Sequence, residues 1–164
     1  PGPLASAALS SAVPPETRAM RVTNDLRVKS SRALPPPAEI AREFPLTDVG
    51  SETVATTRDE VRRVIHGQDD RLLVVVGPCS IHDVGMAKEY AGHVKEWRRK
   101  YTGELLVLMR VYFEKPRTTV GWKGLLNDPH LDGSYDMESG LRIGRKLLVD
   151  LAGDGVPAAS EVLD

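Results

Sequence analysis

Only one of the 164 residues is cysteine, Cys79, so no internal disulfide can form. That excludes a disulfide-stapled secreted module and suits a reducing, cytoplasmic setting in which a lone thiol is buried, reactive or metal-bound. No apolar run approaches the ~20 residues that cross a bilayer, so no membrane-spanning segment is expected. Neither sign of charge dominates, since 22 Lys and Arg face 23 Asp and Glu, and a chain of formal charge −1 is not a bulk-basic binder of nucleic acid. The chain also lacks an initial methionine. Its Ala-, Ser- and Pro-rich residues 1–19 have neither the basic start nor the apolar core of a signal peptide, and they read as a disordered or non-native leader ahead of Met20. What is present, 41% hydrophobic residues, fits a soluble globular chain.

Glycine is scarce early, with two of 14 in the first 50 residues, whereas eight of the 12 prolines fall there. The composition therefore changes near residue 50. Thr23 to Val28 alternates as a short strand or extended arm. Pro35-Pro36-Pro37, with locked φ and no N–H groups, imposes an extended turn. From Ser51 to His66, Val54, Val61, Val64 and Ile65 recur at helical spacing before Gly67. Leu72 to Val76 is continuously apolar and β-branched, as in a strand covered on both faces, and Gly77-Pro78 ends it. Asp83 then caps a helix with Ala87, Tyr90, Ala91, Val94 and Trp97 on one side. Leu105 to Met109 forms a second buried strand, Met137, Leu141, Gly144, Leu148 and Leu151 seam a further helix, and Ala158 to Leu163 form a last strand. This order predicts an α/β fold of parallel βα units, with functional residues where strands run into loops.

Two such junctions carry chemistry. Cys79 follows the first strand in Gly77-Pro78-Cys79-Ser80-Ile81-His82-Asp83. A lone cysteine can be a small buried hydrophobe, but a rigid Gly-Pro turn with His82 and Asp83 nearby also suits a metal ligand or a nucleophile. Arg110, Lys115 and Arg117 lie at and after the end of the second strand, with Thr118 and Thr119 beside them. Between Lys95 and Lys123 eight basic residues meet three acidic ones, a local +5 that the total of −1 conceals. Guanidinium forks and hydroxyls there suit phosphate or carboxylate oxygens. Lys95, Arg98, Arg99 and Lys100 read instead as a solvated helix end. Trp122, between Gly121 and Gly124, belongs either to a substrate-covering loop or to an ordinary turn, and Glu161 is either a buried acid or a salt-bridged surface group.

The segment Gly77 to Asp83, followed by Met109-Arg110-Val111-Tyr112-Phe113-Glu114-Lys115-Pro116-Arg117-Thr118-Thr119-Val120-Gly121-Trp122-Lys123-Gly124, resembles the 3-deoxy-D-arabino-heptulosonate 7-phosphate (DAHP) synthases of the shikimate pathway, in the class inhibited by an aromatic amino acid. The likeness runs from about Thr23 to Asp164. It implies a (β/α)8 TIM barrel that condenses phosphoenolpyruvate with erythrose 4-phosphate and needs a divalent metal such as Mn, Fe or Co. By the same resemblance Cys79 is a metal ligand, Arg110 binds phosphoenolpyruvate, and Lys115 is catalytic between the two substrates. Pro116, Arg117 and Thr118 receive erythrose 4-phosphate, and Glu161 positions water. Residues 20–70 then form an amino-terminal regulatory and oligomerisation arm with its helix, and residues 71–164 the first units of the barrel, with a homo-oligomer expected. A barrel of this kind takes ~250 residues, so about three of its strands are expected here, and activity belongs to a longer chain. The alternatives are a synthase using arabinose 5-phosphate, against which Lys115-Pro116-Arg117-Thr118 argues, and a non-catalytic anion-binding or regulatory remnant of the same barrel.

Overall fold

The computed structural model describes residues 23–24, 26–28, 30–115 and 121–161, and the chain divides into two units, Pro1–Ala33 and Leu34–Asp164. In the first unit Leu26 and Arg27 form a turn, and no strand occurs among its described residues, contrary to the alternation of Thr23 to Val28. Leu26 and Val28 are exposed, so nothing on that stretch rewards a buried face.

The second unit begins with a helix where an extended turn is expected. Pro36 is extended, with φ −65° and ψ 149°, but Pro37 opens helix α1 (Pro37–Glu43). A proline at the first helical position loses no intrahelical bond, because that N–H has no partner in any case, and its φ is already helical. Helix α2 (Asp48–Ile65) starts three residues before Ser51, since the Thr47 hydroxyl accepts from Gly50 N at 3.0 Å and so sets the cap. Its inner seam is Val54, Thr57, Val61 and Val64, while Ile65 is exposed.

Strands β1 (Leu72–Val76), β2 (Leu105–Arg110) and β3 (Ala158–Ala159) form one parallel sheet in that order, with Leu72 opposite Leu105 and Met109 opposite Ala158. The β1-to-β2 crossover is α3 (Val84–Lys100) and the β2-to-β3 crossover includes α4 (Met137–Gly153). Strand side chains alternate across the sheet. Val107 and Met109 join Val94, Leu147 and Leu151 in the main core, against α3 and α4. Leu108, on the other face, lines a cavity of about 530 Å³ with Val54, Val61 and Leu148. Helix α4 serves two layers in consequence: Gly140, Gly144, Leu147 and Leu151 are buried, whereas Met137, Leu141 and Leu148 of the expected seam are only partly so.

β3 stops after two residues instead of running to Leu163. Its last pair is Ala159 with Arg110, where β2 itself ends, and beyond it the side chains of Ser160 and Glu161 take over the bonding to the chain after β2. Val162 to Asp164 lie outside the described residues. Arg98, at the end of α3, is not the solvated charge its run suggests: its guanidinium is half-buried and donates to the Val107 carbonyl, and burial lowers its pKa.

Candidate functional site at the carboxyl ends of β1 and β2

Gly77 lets the ends of the two strands meet. A Cβ there would lie 2.6 Å from the Arg110 carbonyl oxygen, so any larger residue would push β1 away from β2. Past this contact the β1 loop is tied to the other strand by Ile81 N donating to Tyr112 O at 2.7 Å. Cys79 sits in this loop and is exposed.

Arg110 and Lys115 converge on Cys79 from the β2 side. Arg110 Nη2 donates to the Cys79 carbonyl at 3.3 Å, and Lys115 Nζ lies 3.5 Å from Cys79 Sγ. The Arg110 guanidinium is stacked over the Tyr112 ring, 4.1 Å from its centre, which orients a planar cation without neutralising it. Its Nε is buried and has no hydrogen-bond partner among the described residues. Neither Arg110 nor Lys115 makes an ion pair among those residues, so two cations meet at the Cys79 loop without a carboxylate partner there.

The segment carrying Lys115 is held from three directions. Lys115 N donates to Lys123 O at 2.9 Å and Leu125 N to Phe113 O at 2.7 Å, which closes a hairpin over Gly124. Gly124 has φ +123°, a conformation open to glycine, and a Cβ there would lie 2.0 Å from Phe113 O. Asn127 Nδ2 donates to Glu114 Oε1 at 3.1 Å. Glu161 Oε1 accepts from the backbone N–H groups of both Phe113 and Glu114, each at 2.9 Å, and Ser160 Oγ donates to Val111 O at 2.8 Å.

Pro116, Arg117 and Thr118 lie outside the described residues. Asp83 is occupied in capping α3, accepting from Met86 N at 2.7 Å, and His82 is exposed. Trp122 behaves as a turn residue: it packs against the core and donates from Nε1 to Asp128 O at 2.7 Å. Tyr112, Glu114, Asn127 and Ser160 also bear on the site, through the Arg110 stack and the bonds that hold the loop. The spacing of two between Arg110 and Tyr112 could have placed them on one strand face. Nothing local marks the other three.

A divalent metal finds one sulfur donor here. Among the described residues no group of three His, Cys, Asp or Glu side chains could hold an ion, and one thiolate does not fix a coordination geometry. These residues alone do not make a metal site. Among them there is also no helix long and apolar enough to cross a membrane.

Comparison with known proteins agrees with this architecture. The chain is 54% identical over 141 residues to the Phe-sensitive phospho-2-dehydro-3-deoxyheptonate aldolase of Escherichia coli K12, covering 86% of this chain and 40% of that protein. It is 50% identical over 145 residues to the Trp-sensitive enzyme of Buchnera aphidicola from Acyrthosiphon pisum, covering 88% and 42%. The solved phospho-2-dehydro-3-deoxyheptonate aldolase of Francisella tularensis SCHU S4 superposes with a TM-score of 0.81 at 51% identity, over 84% of this chain and 40% of the other. The chain thus spans about 40% of the length of these relatives. Residues 46–164 match the DAHP synthetase I family, and the chain belongs to that family.

Proposed function

We propose that this chain supplies the phosphoenolpyruvate- and aldose-phosphate-binding part of a DAHP synthase, the enzyme that condenses phosphoenolpyruvate with erythrose 4-phosphate to DAHP and inorganic phosphate. The observation that carries this reading is the meeting of Cys79, Arg110 and Lys115 past the ends of β1 and β2, with Arg110 Nε buried and without a hydrogen-bond partner among the described residues. Both substrates are anions, and oriented cations collect them and fix their mutual geometry. In the reaction C3 of phosphoenolpyruvate bonds to the aldehyde carbon, water adds its oxygen at C2, and phosphate leaves with the C2–O electron pair. Arg110 would hold phosphoenolpyruvate. Lys115 would lie between the substrates as the catalytic residue, its ammonium balancing negative charge that develops on the aldehyde oxygen. Pro116, Arg117 and Thr118 would receive erythrose 4-phosphate.

Cys79 would give one donor to a divalent ion, Mn, Fe or Co, whose other donors are not among the described residues. The sheet would be the first three strands of a (β/α)8 barrel. Residues 20–70 would act as a regulatory and oligomerisation arm in a cytoplasmic homo-oligomer inhibited by an aromatic amino acid. The relatives' names, Phe-, Trp- and Tyr-sensitive, support that last point.

Calorimetric titration with phosphoenolpyruvate tests the reading. The 164-residue chain should bind it, and Arg110→Ala should weaken binding about tenfold or more, ~1.4 kcal/mol. Supplied with both substrates and Mn²⁺, the chain alone should form no DAHP, whereas a polypeptide of the relatives' length should. Unchanged binding in Arg110→Ala, or DAHP formation by the 164 residues alone, would refute it.

A further inference from the structure

We propose that Glu161 is a positioning residue: it acts through the backbone of the β2 loop, holding Lys115 opposite Cys79. This rests on the reading of Lys115 as the group that meets substrate. The resemblance assigns Glu161 to a water molecule, and the geometry points to a further task.

One oxygen of the carboxylate, Oε1, already accepts two hydrogen bonds at 2.9 Å, from consecutive amides of Phe113 and Glu114. These N–H groups lie just past the end of β2, and among the described residues β3 pairs only as far as Ala159. A backbone donor left unpaired in a half-buried loop costs about as much as a lost hydrogen bond, and a charged acceptor makes the strongest replacement. The Ser160 hydroxyl donates its single proton to Val111 O at 2.8 Å, with the other carboxylate oxygen, Oε2, 3.3 Å from the same Oγ. Glu161 and Ser160 together therefore continue by side chains the pairing that β3 no longer provides by backbone. They hold residues 111–114 in register with the end of β3.

Lys115 is the next residue, and the clamp reaches it directly. With Glu114 held by its N–H to Glu161 and by its side chain to Asn127, and with Lys115 N bonded to Lys123 O, the Cα of Lys115 has little freedom. Its long side chain can then spend its length on reaching Cys79 Sγ, 3.5 Å away. Without the clamp the two amides are free to turn toward water and Lys115 loses that aim.

The test compares Glu161→Ala with Glu161→Gln, which keeps an acceptor oxygen but removes the carboxylate. In the 164-residue chain, amide hydrogen exchange at Phe113 and Glu114 should speed at least tenfold in Glu161→Ala and stay within about threefold of wild type in Glu161→Gln. Exchange at Leu106 to Met109 reports that the sheet is intact. Phosphoenolpyruvate affinity should fall in Glu161→Ala and recover in Glu161→Gln. Added to Lys115→Ala, Glu161→Ala should cause no further fall, because the two changes remove the same contact.

Unaltered amide exchange in Glu161→Ala overturns the clamp. So does failure of Glu161→Gln to restore affinity, and so does an additive loss in the double variant. If Lys115→Ala alone leaves phosphoenolpyruvate affinity unchanged, the reading of Lys115 fails instead, and the exchange data still decide whether the clamp exists. Should Glu161→Ala not fold, Glu161→Asp, which shortens the reach by one methylene, supplies the same comparison.

Discussion

Single atoms decide much of this site, and glycines show how sharply. A Cβ on Gly140, in the first turn of α4, would lie 2.3 Å from Leu126 O and 2.7 Å from Leu125 O, so the helix rests directly on the backbone of the loop that follows the Lys115 hairpin. Replacing an interior helical glycine by alanine ordinarily stabilises by about 0.5–1 kcal/mol. Gly92, in the middle of α3 with open space around its Cβ position, should follow that rule. Gly140→Ala should reverse it and destabilise by about 1–3 kcal/mol, as overpacking does, and urea unfolding of the two variants would show opposite shifts of midpoint. The same scale separates what was readable at the site. Cys79 and Arg110 were legible because each stands at or just past the end of an apolar β run, and Lys115 because it belongs to the loop that follows, where side chains from neighbouring strand ends can meet. The task of Glu161 was not legible, because its partners are 47 and 48 residues earlier and meet it only through the register of β2 with β3.

Elements here are fixed by their ends. α1 shows why three consecutive prolines do not always break a helix, since only the last lies inside it, at the position where a missing N–H costs nothing. α1 is held to α4 by burial of Ile40 and by Arg142, which pairs with Glu43 and Glu138 at 2.8 Å each. Burying an isoleucine is worth about 1.5–3 kcal/mol. Water screens the partly exposed pairs, so Ile40 holds the helix and Arg142 orients it.

The turn from α2 into β1 depends on a tighter ionic contact. Arg71 Nη2 bonds Asp69 at 2.7 Å and Glu60 at 2.9 Å, and the Arg71 hydrogen bonds hold the Asp69 carboxyl at about 2, below its usual 3.8. The folded value lies below the unfolded one, so this contribution is complete above about pH 3.8 and disappears as the pH falls to about 2. The stability difference between wild type and Asp69→Asn, from urea midpoints at several pH values, should shrink through that interval. A difference that stays constant would refute the assignment.

At the scale of the molecule, the two tryptophans report on one body. Trp97 on α3 and Trp122 in the β2 loop both pack against the same core cluster, which contains Val94, Met109, Phe113 and Leu151. A single core should unfold in one step, so fluorescence transitions of Trp97→Phe and Trp122→Phe in urea should coincide after correction for the stability change of each variant. A Trp122 signal lost well before that of Trp97 would mean that the loop after β2 unfolds separately from the sheet.

The sequence alone determined the alternation of apolar strands with amphipathic helices, hence the parallel sheet, since crossovers as long as α3 and α4 join parallel neighbours. It also determined that a thiol and two cations follow strand ends, because these are properties of local order and spacing. Only the tertiary structure decided that α4 serves two layers, that β3 stops at Ala159, and that Glu161 bonds two distant amides. Those depend on distances between segments far apart in the chain. A run of side-chain types sets which surfaces prefer burial, but packing sets which atoms then come within bonding distance.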